Sequence, residues 1–324
     1  MNKPAHASRP VRTPFGRDAT ATDVLDGVNL AGRRFIVTGG ASGLGEAATR
    51  ALVAAGANVT VAVRDPHSAL RLTDDQPLIE ALPLDLADLD SVTEFVRAWT
   101  EPVDAIIANA GVMAVPTRQL SAAGWELQLA TNYLGHFALI YGLEKQLAAA
   151  SGRVVVVSSG AQLRAGVDLD DLNFDRRPYD PWTAYSQSKS ADVLLAVGIA
   201  RRWADKGVTG NACAPGVIHT NLQRHLAPEL MRAMGAMDAN GDLIHPEHYK
   251  TPEQGASTAV LLAASPLIDG VSGAYFEDNQ EAPTVPGGPE PEGGVAEWSL
   301  DPGLADALWE RAVAALPAPL TAGK

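Results

Sequence analysis

The sequence predicts an α/β fold: a single doubly wound parallel sheet of about seven strands with helices on both faces. Three observations carry that prediction. Short apolar runs alternate with helix-prone stretches at intervals of roughly 20–30 residues, the pattern of strands joined by helical crossovers. Two of the runs, 59–63 and 153–157, are dominated by β-branched residues, as strands buried on both faces should be. The earliest run, Phe35-Ile36-Val37, leads through Thr38-Gly39-Gly40-Ala41-Ser42-Gly43-Leu44-Gly45 into an alanine-rich stretch from Glu46 onward. Three β-prone residues make a strand and the alanines make a helix, so the glycines between them form a turn.

That turn is built as a phosphate cradle. Glycines at 39, 43 and 45 allow a tight bend, let the backbone approach a pyrophosphate and let helix and strand pack closely. The free N–H groups of the first helical turn then face an anion. A glycine-rich turn can also be only a loop, so the reading depends on the rest of the chain.

Composition narrows the classes further. The 324 residues suffice for a sizeable core, and one domain with tails fits them better than two. No apolar run reaches the length of about 18 residues that a membrane span needs. With 38 acidic against 25 basic side chains, the net charge of −13 excludes nucleic acid or an anionic membrane as the main partner. The single cysteine, Cys213, cannot form an intramolecular disulfide and implies a reducing compartment, the cytoplasm. It lies in an apolar run and reads as a buried structural thiol. No metal is expected.

Residues 1–31 form an N-terminal arm. Its first 17 positions carry Lys3, Arg9, Arg12 and Arg17, no acid, and prolines at 4, 10 and 14 that discourage a helical targeting peptide. A short helix over 18–28 leads into the first strand. The second strand, 59–63, ends at Arg64-Asp65. In dinucleotide folds an acid at this place accepts from the adenosine ribose, whereas an arginine holds a 2′-phosphate. Val63 stands at the usual acidic position and Arg64 follows it, which favours NADP(H). The competing reading gives the ribose to Asp65 and leaves Arg64 as a solvated charge.

A third strand over 78–84 ends in Asp85-Leu86, where Asp85 either accepts from an adenine amine or serves as a cap before the helix at 88–99. The fourth strand, 103–107, runs into Asn109-Ala110-Gly111, whose short side chains let the backbone pass a ligand. A long helical stretch over 121–147 contains Asn132 and Gly135, both indifferent helix formers that invite a reason. His136, beside them, reads as a packed or hydrogen-bonded histidine without a catalytic role.

Chemistry becomes possible after the fifth strand, 153–157. Ser158 and Ser159 stand at its carboxyl end, where open α/β sheets bind ligands. A loop of Asp and Pro follows, and then Tyr185 opens a helix reaching to about Lys206, with Lys189 one turn on and on the same face. A free tyrosine holds its proton too tightly to exchange it at neutral pH, and a neighbouring ammonium favours the phenolate. On its own the pair is usually a solvated helix face; its order among the other motifs gives it weight.

Taken together, Thr38-Gly39, Gly43, Gly45, Asp85, Asn109-Ala110-Gly111, Asn132, Ser159, Tyr185, Lys189, Pro215-Gly216 and Thr220 resemble the short-chain dehydrogenase/reductase family, in that family's order over about residues 32–275. Arg64-Asp65, the run from Asn132 to Phe137 and the long Ser-to-Tyr insertion resemble its retinol-dehydrogenase-like and WW-domain-oxidoreductase-like branch. The resemblance implies a Rossmann-type domain over 32–283, followed by a Pro/Gly linker and a helix over 284–324. It implies Tyr185 as general acid or base and Lys189 as the group that holds the nicotinamide ribose and acidifies Tyr185. Ser159 would bond the reacting oxygen, and Asn132 would hold a water that relays protons to Lys189. It implies cofactor contacts from Gly39, Ala41, Ser42, Gly43, Leu44, Gly45, Arg64, Asp85, Leu86, Asn109, Ala110, Gly111, Tyr185, Lys189, Pro215, Gly216, Val217 and Thr220. Family members commonly pair as homodimers or homotetramers through the helices after the fourth and fifth strands.

Leu222, Leu226, Leu230, Met231, Met234 and Met237 form an apolar stripe within a segment at about 221–250 that would close over the substrate. Adaptable methionines favour an apolar substrate. Tyr179 and Trp182 would form the opposite wall. Two helix starts are signalled beyond it, at Thr251-Pro252 and Asp301-Pro302. The leading expectation is hydride transfer between NADP(H) and a hydrophobic alcohol, ketone or aldehyde. A non-catalytic NADP(H)-binding sensor would have no need of Ser159, Tyr185 and Lys189 together. A sugar-nucleotide epimerase or dehydratase usually spaces its glycines differently.

Overall fold

The apolar runs lie side by side. In this computed structural model, which describes residues 10–74, 76–218, 232, 238, 244, 249–288 and 293–321, the strands are β1 (Arg34–Thr38), β2 (Asn58–Val63), β3 (Ile79–Pro83), β4 (Ala105–Ala108), β5 (Arg153–Val157), β6 (Thr209–Ala214), β7 (Tyr275–Glu277) and β8 (Gln280–Glu281). Their order across the sheet is β3-β2-β1-β4-β5-β6-β7-β8. All neighbours are parallel except the last pair. Chain order reverses between β1 and β4, which opens a crevice at their carboxyl ends.

Seven parallel strands agree with the reading; the eighth is an addition. β8 turns back from β7 through Asp278 and Asn279, whose φ values of 49° and 63° make the left-handed turn of a tight hairpin. No glycine announces that turn.

Successive residues of each strand face opposite layers, as the pleat requires. Phe35 and Val37 enter one core with Val155 and Val157, while Ile36 enters the other with Ile106, Val154 and Val156. The first core is closed by α1 (Gly43–Ala54), and the second by α2 (Leu89–Ala98) and α3 (Gly135–Gly142). On that second face also lies α4 (Pro181–Arg202), whereas α5 (Pro252–Ala264) joins α1. The cap of α5 is complete: the Thr251 side chain accepts from Gln254 N–H, and the Gln254 side chain accepts from Thr251 N–H.

Three helix boundaries differ from expectation. Over 18–28 only a single turn forms, Asp23–Leu25. The stretch from 121 becomes helical at Leu127, because the Glu126 carboxylate caps the N–H groups of Gln128 and Leu129, and it breaks at Leu143. The helix bearing Tyr185 begins four residues early, where Asp180 caps Thr183 N–H at 2.7 Å with Pro181 in the first turn, and ends at Arg202.

Arm and tail both pack on the core. Val11 exchanges bonds with Glu281, and the Gln280 side chain donates to Thr13 O at 3.0 Å, so residues 11–15 cover the exposed edge of β8. The Pro/Gly stretch closes into a small parallel pair, β9 (Thr284–Val285) with β10 (Val295–Ala296). Beyond it α6 (Pro302–Ala315) lies on α3 and α4, the two helices through which the resemblance implies subunit contact. Trp309 holds it there, edge-on to Phe137 at 4.8 Å and to Trp203 at 5.5 Å. Arg201 and Arg202 pair with Asp306 and Glu310 around the rim. The tail thus packs on the domain. Thr220 and the apolar stripe of Leu222, Leu226, Leu230, Met231, Met234 and Met237 lie outside the described residues. Among the described residues no helix is long and apolar enough to cross a membrane.

Trp309→Ala removes the buried indole that joins tail to core, and is expected to lower unfolding free energy by about 3–5 kcal/mol. Urea titration followed by far-UV circular dichroism measures it; an unchanged midpoint would show that the tail adds nothing to the cooperative core.

Candidate active site

β1 ends at Thr38 and turns through Gly39 and Gly43, with φ of 64° and 53°, into α1. At Gly45 a Cβ would lie 2.3 Å from the Gly39 carbonyl oxygen and 2.8 Å from Asn109 Nδ2, so only glycine allows this approach. Ala41 and Leu44 belong to the same bend, and Ser42 at the N-cap makes no capping bond. The first-turn N–H groups of α1 are thereby left for an anion, and the residues present fit a dinucleotide pyrophosphate.

The neighbouring ends follow the same plan. Arg64 is exposed at the carboxyl end of β2, with no ion pair to an acid among the described residues. Asp65 is engaged: its carboxylate accepts from His67 N–H at 3.0 Å. Asp85, after β3, accepts from Ala87 N–H at 2.9 Å through one oxygen, while Leu86 is buried. Asn109 donates from its side chain to Thr38 O, and the N–H groups of Asn109 and Ala110 both donate to Thr38 Oγ1, each at 2.9 Å. Pro215 and Gly216 carry the chain away from β6, and Val217 after them is 62% exposed.

Asn132 sits in a π-helical turn, Ala130–Leu134, inserted ahead of α3. Such turns are rare and favour functional sites. Its side chain accepts from Val112 N–H at 2.9 Å and donates to Val112 O and Ser188 Oγ, which spans the exit of β4 and α4. Its carbonyl accepts from His136 Nδ1 at 2.7 Å. A carbonyl can only accept, so Nδ1 carries the proton and Nε2 accepts from Thr38 Oγ1 at 2.8 Å. Burial pushes the His136 imidazole down to about 4, so it is a neutral strut, as its setting in the sequence suggested. Gly135 is explained too: a Cβ there would meet Leu86 O at 2.1 Å.

Tyr185 and Lys189 come together on α4. The tyrosine is 4% exposed and packs with Met113, Ala114, Ala161 and Trp182, the last edge-on at 6.3 Å. Lys189 Nζ lies 5.8 Å from its ring centroid. The ammonium donates to Val157 O at 3.0 Å and to Asp192 Oδ2 at 2.7 Å. Burial opposes its charge, the Asp192 carboxylate and Tyr185 favour it, and the balance lies above an ordinary lysine. A Cβ on Gly111 would lie 3.0 Å from Asn132 Oδ1 and 4.0 Å from Lys189 Nζ, so Gly111, Asn132 and Lys189 meet at one point.

The two serines divide. Ser158 is buried and its hydroxyl donates to Lys189 O at 2.7 Å, which anchors α4. Ser159 is half-buried and accepts from Ala161 N–H at 3.2 Å, which leaves its proton to offer. The loop beyond it is tied down by Gln162: its side chain donates to Gly294 O and accepts from Ala296 N–H and Ser299 Oγ, all in the tail. The Tyr179 hydroxyl donates to Val115 O at 2.8 Å. Burial pushes the Cys213 thiol up to about 12, consistent with an inert structural group. Sequence reasoning missed Asp192 and the Gln162 ties; a Lys-x-x-Asp spacing was visible for the first, and nothing local marks the second.

With this geometry in view, comparison with known proteins is direct. The family described as short chain dehydrogenase matches residues 33–230. A "Probable oxidoreductase" of Streptomyces antibioticus is 58% identical over 90% of this chain and 100% of its own length. Retinol dehydrogenase 13 of Mus musculus is 35% identical over 79% of each chain. The NADP active-site complex of Pseudomonas aeruginosa RhlG superposes with a TM-score of 0.60 at 25% identity, covering 78% of this chain and 96% of that one. The chain is an NAD(P)-dependent oxidoreductase and belongs to the short-chain dehydrogenase/reductase family.

Proposed function

We propose that this protein moves hydride between NADP(H) and an apolar ketone or aldehyde, or the corresponding alcohol. The observation that carries the reading is the setting of Tyr185, packed with Met113, Ala114, Ala161 and Trp182 and with the Lys189 ammonium 5.8 Å from its ring centroid. The apolar neighbours suit a hydrophobic substrate, and an ammonium this near the ring is the kind of charge a proton-transferring phenol needs. The name of the mouse retinol dehydrogenase relative, with its apolar substrate, supports the same class.

Bound NADP(H) supplies or accepts the hydride. Gly39, Ala41, Ser42, Gly43, Leu44 and Gly45 would hold its pyrophosphate, and Asp85, Leu86, Asn109, Ala110 and Gly111 its adenosine side. Pro215, Gly216, Val217 and Thr220 would hold its carboxamide. In reduction Tyr185 gives its proton to the substrate oxygen as negative charge develops there, and Ser159 donates a second hydrogen bond to that oxygen. In oxidation Tyr185 takes the proton instead. Lys189 would hold the nicotinamide ribose beside the phenol, and Asn132 would hold a water that relays protons to Lys189. The preference for NADP(H) rests on Arg64, exposed where a 2′-phosphate would lie, while the alternative reader Asp65 is occupied by its own turn. Lone Cys213 supports residence in a reducing compartment, the cytoplasm.

Tyr185→Phe is expected to lower kcat for NADPH-dependent reduction of apolar aldehydes and ketones by about 10²–10⁴-fold or more, with NADPH affinity within a few-fold of wild type. Steady-state kinetics and fluorescence titration of NADPH check the two halves; retained turnover would remove the proton-transfer role. Arg64→Ala is expected to weaken NADPH by about 10–100-fold, the worth of a charge-assisted contact, and to leave NADH nearly unchanged. Equal losses for both cofactors would return the ribose to Asp65.

A further inference from the structure

Lys189 is not the end of the charged chain. The ammonium is 5% exposed, and three residues further along α4 the Asp192 carboxylate, 1% exposed, bonds it at 2.7 Å. The second oxygen, Asp192 Oδ1, is buried without a hydrogen-bond partner among the described residues. On a solvated helix this spacing would stabilise by a few tenths of a kcal/mol and mean little. Buried, such a pair adds little net stability against an apolar replacement, because both ions lose their hydration. Its effect is therefore to be sought in the reactive group beside it.

We propose that Asp192 is a positioning residue of the proton-transfer site: as the buried counter-ion of Lys189 it fixes that ammonium between α4 and β5, and through it sets the proton affinity of the Tyr185–Lys189 pair. The proposal rests on the reading of Tyr185 as the acid–base group. Other titratable groups face the pair without supplying an opposite charge. Tyr133 and His136 approach from the π turn and α3, the first kept protonated by burial and the second neutral. Cys213 on β6 and Tyr275 on β7 also hold their protons. Lys250, beyond Cys213, has Asp278 as its own partner at 2.5 Å. Burial pushes the Asp192 carboxyl up, and the Lys189 ammonium pulls it back down.

Removing one negative charge from a coupled pair lowers the proton affinity of the pair as a unit. Asp192→Asn should therefore move the acidic limb of kcat/KM for alcohol oxidation, and the alkaline limb for carbonyl reduction, to lower pH. The shift is on the order of one pH unit, as for other buried charges beside an acid. Asp192→Glu, which restores a carboxylate, should return the limbs toward wild type. The profiles are measured with NADPH and benzaldehyde, and with NADP and benzyl alcohol. Tyrosinate absorbance is titrated in parallel, with Tyr185→Phe subtracted, and reports the ionisation of Tyr185 whether or not a substrate turns over. Should Asp192→Asn fail to fold, Asp192→Ala removes the same charge and is read in the same way. An ionisation that is unchanged or raised in the folded variant overturns the role of Asp192. Turnover that survives Tyr185→Phe overturns the catalytic reading instead, so the two failures are distinct.

Discussion

Thr38 is the point at which the two halves of the site are joined. It is the last residue of β1 and fully buried, and its hydroxyl accepts from the N–H groups of Asn109 and Ala110 while giving its own proton to His136. His136 in turn donates to the carbonyl of Asn132. Every bond that one hydroxyl can make is thus used, and it links the start of the phosphate cradle, the exit of β4 and the π turn ahead of α3. A valine of the same shape would leave two buried N–H groups and a histidine nitrogen without partners, a cost of a few kcal/mol. The glycine turn, the exit of β4 and the π turn are tied together through this one small hydroxyl.

Helix α4 is the second element whose surroundings matter more than its sequence suggests. From Ala184 to Ile199 every residue is buried, although Ser186, Gln187, Ser188, Ser190 and Asp192 are polar. A helix hidden on all sides is ordinarily apolar all round. Here four of these polar residues find partners: Ser188 with Asn132, Gln187 with Leu172 O, Ser190 with Gln162 O and Ala165 O, and one oxygen of Asp192 with Lys189. The tail helix α6 packs along the later turns of α4, where Trp309 lies against Gly198.

Such packing explains what the sequence could show and what it could not. Strands such as Val154-Val155-Val156-Val157 were legible because burial on both faces writes them as unbroken β-branched runs. The Gly39–Gly45 turn, Asn132, Tyr185 and Lys189 were legible because their chemistry demands particular residue types at fixed spacings. The hairpin at Asp278-Asn279 was not, since neither residue is the glycine that usually signals such a turn. Nor was the cap at Glu126, a residue type uncommon at that position. Asp192 looked like any acid three residues from a lysine on a wet helix; its burial arises from tertiary packing that local spacing does not reveal.

The ties from Gln162 to Gly294, Ala296 and Ser299 bear on the order in which the molecule is completed. Its buried side-chain amide lies three residues beyond Ser159 and finds its partners only in the last part of the chain. During synthesis the cradle at Gly39–Gly45 leaves the ribosome early, and the residues that fasten the serine loop leave it late. A chain shortened before residue 294 would lack all three of these partners for Gln162, so the serine loop is the part of the molecule fastened last.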